Sequence, residues 1–516
     1  MNGPPPRRPW AMLMVIALGG ALGAASYLAA PDNAVIRLIS PSTTAATTST
    51  TVVRTTTTRP SPSTTVTTTI TLPQREPGTV PGFTAGQPWG TTVGLTMFRG
   101  NPTRTFYGTG PLPSNPQVLW SYPEEGGMCA FSSVGGVSRQ WCGSGWTGQP
   151  VVWERSDGTT EVIFGAYDTA VHFLDAATGA GLRPSFRTGD IIKGSVTLDP
   201  DGYPLLYFGS RDNKLRIVAL DRDEPTELWS LDADAVDGMW NDDWDGNPVV
   251  VDDILYEGGE NGWFFAIKLN RAIGTDGVVS VNPEIVFSSP GWTSELIALV
   301  GRNVSFESSV MIHEQVAYLA NSGGRVVGFD ISDVGSGNAP IAFDYWVGDD
   351  TDATLVSDAN GAVYVAAEEE RKNDRSRELG QLIKLDPRRS NPYVWGVPVP
   401  GGDQVGGLWA TPALGDGVIY AATEPGELLA VDAETGEVTW REDIGWHAWS
   451  SPVVIDDELL VATCTGELRA YSLSDPRQPI LMWNLKVSES CIESTPAVWG
   501  GRIFVGVRDG KFYAIG

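Results

Sequence analysis

Apolar and polar residues alternate along most of this chain in short runs that end on Gly or Asp. VIDDELLVA, from Val454, and ALGDGVIYAA, from Ala413, are examples. Period-2 alternation with turn residues between runs predicts short antiparallel strands joined by tight hairpins. The runs themselves recur. The clearest copy is GELLAVDAETGEVTW, Gly426 to Trp440, and related segments begin at Thr169, Asn213, Gly262, Gly324, Gly380, Gly466 and Gly510. A four-stranded unit repeating at intervals of 40 to 62 residues is a β-propeller blade.

Eight copies predict an all-β, eight-bladed β-propeller within residues 81–516, its blades starting at about residue 142. The eighth copy stops after its third strand. PQVLWSYP, Pro116 to Pro123, carries the LW that ends other copies. This N-terminal strand is expected to complete the last blade and close the ring, which removes the open edges. Aromatics end the outer strands (Trp120, Phe186, Trp229, Phe287, Trp346, Trp395, Trp440 and Trp483), and they are expected to wedge between blades.

Alignment at the start of the innermost strand puts Pro150, Val196, Pro248, Val310, Leu355, Pro412, Pro452 and Pro496 in register. Three residues earlier stand Thr147, Lys193, Asp245, Glu307, Asp352, Trp409, Trp449 and Glu493. One residue earlier stand Gln149, Ser195, Asn247, Ser309, Thr354, Thr411, Ser451 and Thr495. Residues two apart share a face, so this register gathers four carboxylates, one lysine and two tryptophans around one mouth of the channel. Converging carboxylates raise one another's pKa, pair with the lysine or hold a cation. The alternative is a hydrated polar channel.

The repeats, AVDAETGEVTW above all, resemble those of the pyrroloquinoline-quinone (PQQ)-like propeller superfamily over residues 116–516. That superfamily holds quinoprotein dehydrogenases and non-catalytic binding propellers, among them a bacterial outer-membrane assembly lipoprotein, so the likeness identifies fold more than function. In NDDWDGNPVV, Asn241 to Val250, it implies a Trp-Asp pair: Asp245, after Trp244, would be the catalytic base of a calcium- and PQQ-dependent oxidoreductase. The adjacent Cys-Cys pair of many such enzymes is missing, and no segment matches their calcium-ligating glutamate. PQQ is therefore not expected. Calcium remains a candidate at Asp245, Glu307 and Asp352, since hard ions favour oxygen ligands.

Four cysteines in an exported domain suggest two disulfides. By their places in the repeats the expected pairs are Cys129–Cys142 and Cys464–Cys491, both on the face of the carboxylate ring. The charged insertion Glu368 to Leu379 is expected on that face too. His172 and His313 read as structural, and His447 lies near the mouth.

The N-terminus adds an address. Arg7 and Arg8 precede an uncharged run from Trp10 to Ala30, long enough to span a bilayer as a helix. With positive charge before it, residues 1–9 are expected in the cytoplasm and the bulk of the chain outside; ALGAAS keeps a cleaved signal as the alternative. Residues 31–80, rich in Ser, Thr and Pro, read as a disordered stalk.

The chain carries −27 overall; six arginines against Asp32 and Glu76 give the first 80 residues +4, leaving −31 on the rest. Such a domain repels nucleic acid and anionic lipid. The leading expectation is a non-catalytic, membrane-tethered, extracytoplasmic binding or scaffolding propeller of the cell envelope. The alternatives are the quinoprotein oxidoreductase and a sensor of a small cationic ligand. The axial residues singled out are Lys193, Trp244, Asp245, Asn247, Glu307, Asp352, Trp409, Trp449 and Glu493, and the partners expected are an envelope protein or a small cation.

Overall fold

A computed structural model describes residues 83–134, 136–146 and 148–516. The expected membrane segment 10–30, the whole stalk 31–80 and Thr147 lie outside the described residues, among which no helix is long and apolar enough to cross a membrane.

Eight four-stranded antiparallel blades follow in chain order, over residues 151–187, 197–232, 249–290, 311–346, 356–397, 413–443 and 453–486, with the eighth at 497–515. Val118–Tyr122 supplies the outer strand of the eighth, pairing Trp120 with Ala514 and Tyr122 with Phe512. Closure by the N-terminal strand is as the truncated last repeat requires. Apolar faces meet between blades: Phe164 of blade 1 stacks on Phe512 of blade 8 at 3.8 Å, and Phe264 of blade 3 on Phe329 of blade 4 at 4.8 Å.

The Asp-x-x-Thr-Gly signature is a latch. Asp175 Oδ1 accepts from the backbone N–H and the hydroxyl of Thr178, and Asp432 does the same with Thr435, an Asx-turn that fixes the bend. The following Gly179 sits at φ +75°, and a Cβ there would lie 2.7 Å from the Trp120 ring of the preceding blade. Trp120 Nε1 in turn donates to Ala176 O at 3.2 Å. Trp395 repeats this against blade 6, bonding Ala433 O. Trp120 and Trp395 therefore clamp one blade to the next, with their indole N–H groups satisfied.

Two features depart from the repeat pattern. The segment joined at its ends by the Cys129–Cys142 disulfide is a hairpin of Cys129–Val134 against Val137–Cys142. The insertion after blade 5's second strand turns back as the strand Glu368–Glu369, paired with Gly406–Gly407, and then the short helix Asp374–Leu379.

The larger surprise is at the axis. Residues 94–108 thread into the channel and bond to every blade. Gly94 and Leu95 extend blade 1, Thr96 O accepts from Leu198 N, Pro102 O from Ile312 N and Thr103 O from Ser357 N. Gly108 bridges to Val498. Arg99 and Arg104 are fully buried. Arg99 Nη2 donates to Thr411 O and Pro452 O at 2.6 and 2.9 Å, and Arg104 Nη2 to Val310 O at 2.7 Å. The innermost strands present carbonyls to the axis, and the two guanidiniums satisfy them where backbone partners run out. Burial still lowers both, Arg99 to about 10 and Arg104 to about 9. The channel is plugged rather than open.

Candidate functional site

The residues one position before each innermost strand form a belt. Gln149 N donates to Ser195 Oγ, Asn247 N to Ser309 Oγ, Ser309 N to Thr354 Oγ1, Thr354 N to Thr411 Oγ1, Thr411 N to Ser451 Oγ and Ser451 N to Thr495 Oγ1. Each of the six hydroxyls in the belt thus caps an N–H of the neighbouring blade. The small residues between the two rings follow from this close approach: a Cβ on Gly194 would meet Asp245 O at 2.2 Å. Asn247 has a further task. Its Oδ1 accepts from Phe98 N at 3.0 Å and from Arg104 Nη1 at 2.7 Å, so it holds the plug.

Above the belt lies a narrow well, closed at its inner end by Phe98 and lined by Asp245, Glu307, Asp352, Trp146, Trp409 and Trp449. It widens into a mouth bounded by the hairpin through Val134, Val137 and Trp141, and by Glu260, Asp350, Glu368 and Glu370. Lys193, Asp245, Glu307, Asp352, Trp409 and Trp449, named from the sequence, meet at this cavity. Three others do not. Trp244 is core, packed on Phe265 with its Nε1 donating to Asn213 O. Glu493 faces Arg508 at 3.6 Å. Asn247 belongs to the plug.

The carboxylates divide into two groups, each closing to within 4.8 Å: Asp243, Asp245 and Glu260, and Asp350, Asp352 and Glu368. Asp245 and Asp352, expected in one calcium site with Glu307, fall in different groups. In the first, Lys193 Nζ is ion-paired to Asp245, lies 3.3 Å from Glu260 and 3.5 Å from Asp243, and sits 5.5 Å from the Trp146 ring centre. Arg211 Nε adds a bond to Asp243 at 2.6 Å. Burial alone would lower the Lys193 pKa, but Asp245 and its neighbours hold it above the ordinary value.

Among the described residues the second group is paired with Arg371 alone, 3.7 Å from Asp350. Burial pushes Asp350 up to about 6 and holds Asp352 and Glu368 well above the usual range, Asp352 with help from Glu307. Burial and then Glu260 raise Glu307 to about 8. Opposite stands an aromatic wall: Trp409 and Trp449 stack at 4.6 Å, Trp146 packs on both, and His447 stacks on Trp449 at 4.6 Å. Burial lowers His447 to about 4, so it is neutral. The residues around Asp245 do not fit a quinone with calcium. The carboxylate that would act as base is paired to Lys193, and the indoles pack on one another rather than flank a slot.

A family model described as outer membrane protein assembly factor BamB matches residues 380–516. Over 95 residues the chain is 32% identical to the assembly factor BamB of Shewanella oneidensis, covering 18% of this chain and 24% of that protein. Over 138 residues it is 30% identical to lupanine 17-hydroxylase of a Pseudomonas species, covering 23% and 19%. The chain thus spans about a quarter or less of these relatives' lengths. Among solved structures, the quinohemoprotein alcohol dehydrogenase ADHIIG of Pseudomonas putida HK5 superposes with a TM-score of 0.57 at 10% identity, covering 82% of this chain and 80% of that one. The domain is a propeller of PQQ-like repeats. Within this PQQ-like propeller the match to the dehydrogenase is one of fold alone, while the family model falls on the repeats of residues 380–516.

Neither the plug nor the pairing of carboxylates within a blade was read from the sequence. The plug is a single-copy segment with no periodicity. The pairing was legible in principle: Asp243 and Asp350 both stand two residues before a ring carboxylate.

Proposed function

We propose that this chain is a non-catalytic binding propeller of the cell envelope, tethered by its N-terminal hydrophobic segment, which engages a basic partner through the axial mouth. One observation carries the reading: the cavity is a dead-ended cup in which Asp245, Glu307 and Asp352 share the wall with the indoles of Trp146, Trp409 and Trp449. Such a cup suits capture of a cationic group, because carboxylates supply charge and indole faces supply a desolvated cation–π surface. The sequence likeness to outer membrane protein assembly factors supports an envelope scaffold. The partner is an envelope protein with a basic docking segment.

The test is site-specific photo-crosslinking in the native envelope. Probes at Val137 and Trp240, exposed at the mouth, are expected to trap the same partner, with yield falling as ionic strength rises. A probe at Ile341, exposed on the outer strand of blade 4, is expected to trap little. Salt-insensitive trapping concentrated at Ile341 would place the working surface on the rim and overturn the reading.

A further inference from the structure

The two carboxylate groups are the same constellation in two blades. Asp243 and Asp350 stand five residues before their aligned innermost-strand positions, Pro248 and Leu355, and Asp245 and Asp352 stand three before. Glu260 and Glu368 each follow the second strand of their blade by two residues. The blade that precedes each group contributes one more side chain from its own third-before position. For the first group it is Lys193. For the second it is Glu307.

The difference inverts the charge. In blade 3 an internal ammonium sits among three carboxylates, in contact with each. In blade 5 the same three carboxylates face a fourth, Glu307, with one guanidinium, Arg371, at 3.7 Å. Asp350 is 6% exposed, and its Oδ1 is buried without a hydrogen-bond partner. Trp409, 7% exposed and lining the same cavity, likewise buries an Nε1 that bonds to nothing. Buried polar atoms are nearly always satisfied. Asp352 Oδ1 is unpartnered as well, so two acceptor atoms of the group that corresponds to the one around Lys193 are left open.

We propose that Asp350, Asp352, Glu368 and Glu307 bind a primary alkylammonium group in the position equivalent to that of Lys193 Nζ. The proposal rests on the reading of the mouth as a cation-binding cup and specifies its ligand. The ammonium is borne by a free amine or by a lysine side chain of the partner. Lys193 is the template: a tetrahedral donor with three N–H groups, three carboxylate acceptors and an indole face alongside. Trp409 supplies an indole on the proposed side. The carboxylates' affinity for protons in the unliganded protein means that an ammonium displaces protons when it binds.

The experiment follows thermal unfolding of the full-length chain with cadaverine, with Nα-acetyl-lysine methylamide, and with the Nε-acetylated form of the latter. A ligand of the folded state raises the melting temperature with concentration. Both amines are expected to stabilise, more strongly at pH 8 than at pH 6, and the Nε-acetylated compound is expected to do nothing. Cadaverine binding more tightly than the lysine amide would assign the source to a free diamine; the reverse order would assign it to a protein lysine.

Glu307→Lys rebuilds the blade 3 arrangement in blade 5. It is expected to raise the melting temperature without ligand and to weaken amine binding at least tenfold by calorimetry. Asp352→Asn with Glu368→Gln is expected to weaken it to the same extent. Three results would overturn the proposal: no shift with either amine, an equal shift with the Nε-acetylated compound, or a calcium-induced shift that amines do not compete. If amines fail while salt-sensitive crosslinks at Val137 and Trp240 persist, the ammonium assignment falls and the binding-propeller reading stands. Loss of both would sink both.

Discussion

Arg104 reaches from the plug to Asn247 on the channel wall and donates from Nη1 to Asn247 Oδ1 at 2.7 Å. The pair ties residues that precede the first blade to the third blade, 143 positions along the chain. The same guanidinium also serves Phe98 O, Asn247 O and Val310 O. A single buried side chain thus fixes both the plug and two innermost strands.

Replacing Arg104 by Met keeps length but leaves those acceptors without a donor in a place water does not reach. Each buried acceptor left unpaired costs about 1–3 kcal/mol, and breaking a buried charged network costs about 3–5 kcal/mol. Arg104→Met is therefore expected to lower unfolding free energy by about 3–5 kcal/mol in urea titrations. Asn247→Ala added to it is expected to cost less than it does alone, since the two share a bond.

The pH dependence follows from Glu307, which faces Lys193, Glu260, Asp350 and Asp352. Its folded pKa of about 8 lies above the ordinary 4.5. Between those values the folded state holds a proton that the unfolded chain has released, so stability falls as pH rises through the window. The melting temperature of the unliganded protein is expected to decline from pH 5 to pH 8, and Glu307→Gln is expected to flatten that decline. An unchanged slope in the variant would assign the protons elsewhere. His447 contributes with the opposite sign, adding stability from about pH 4 to 6.5.

These two cases mark what the sequence makes legible. Features that recur among the repeats were readable: the period-2 strands, the Asp-x-x-Thr-Gly turns at Asp175 and Asp432, the outer aromatics, and the closing strand around Trp120. Repetition averages out local ambiguity, so the alignment also found Lys193, Asp245, Glu307 and Asp352 at the mouth. Features made once were not readable. Phe98, Arg99 and Arg104 carry no period, and their register is set by carbonyls of strands hundreds of residues away. The alignment also gave every ring position the same orientation. Glu493 instead faces Arg508, and Asn247 turns to the plug, because single-copy partners decide those rotamers.

The latch yields a paired test. Gly179 adopts φ +75°, and a Cβ there would meet the Trp120 ring at 2.7 Å, whereas a Cβ on Gly181, two residues on, meets nothing within 4 Å. Gly179→Ala is expected to cost about 1–3 kcal/mol through strain and displacement of the indole. Gly181→Ala is expected to fall within about 0.5 kcal/mol of the parent. Chemical denaturation of both variants checks the contrast.

The two disulfides are expected to act on different things. Cys464–Cys491 closes 27 residues and joins the seventh blade to the segment leading into the eighth, so it restricts the unfolded chain across a blade boundary. Loop-closure entropy gives about 3.5 kcal/mol for a loop of that length, and Cys464→Ser with Cys491→Ser should lower the midpoint of global unfolding accordingly. Cys129–Cys142 spans 13 residues and links two strands of a hairpin that belongs to no blade. Its loss can be absorbed by opening the hairpin alone, a local event below the global transition. Cys129→Ser with Cys142→Ser is therefore expected to leave the main melting transition nearly in place while hydrogen exchange accelerates over residues 129–142. Because Val134, Val137 and Trp141 bound the mouth, the same variant should weaken partner capture there, separating the stability of the propeller from the integrity of its binding face.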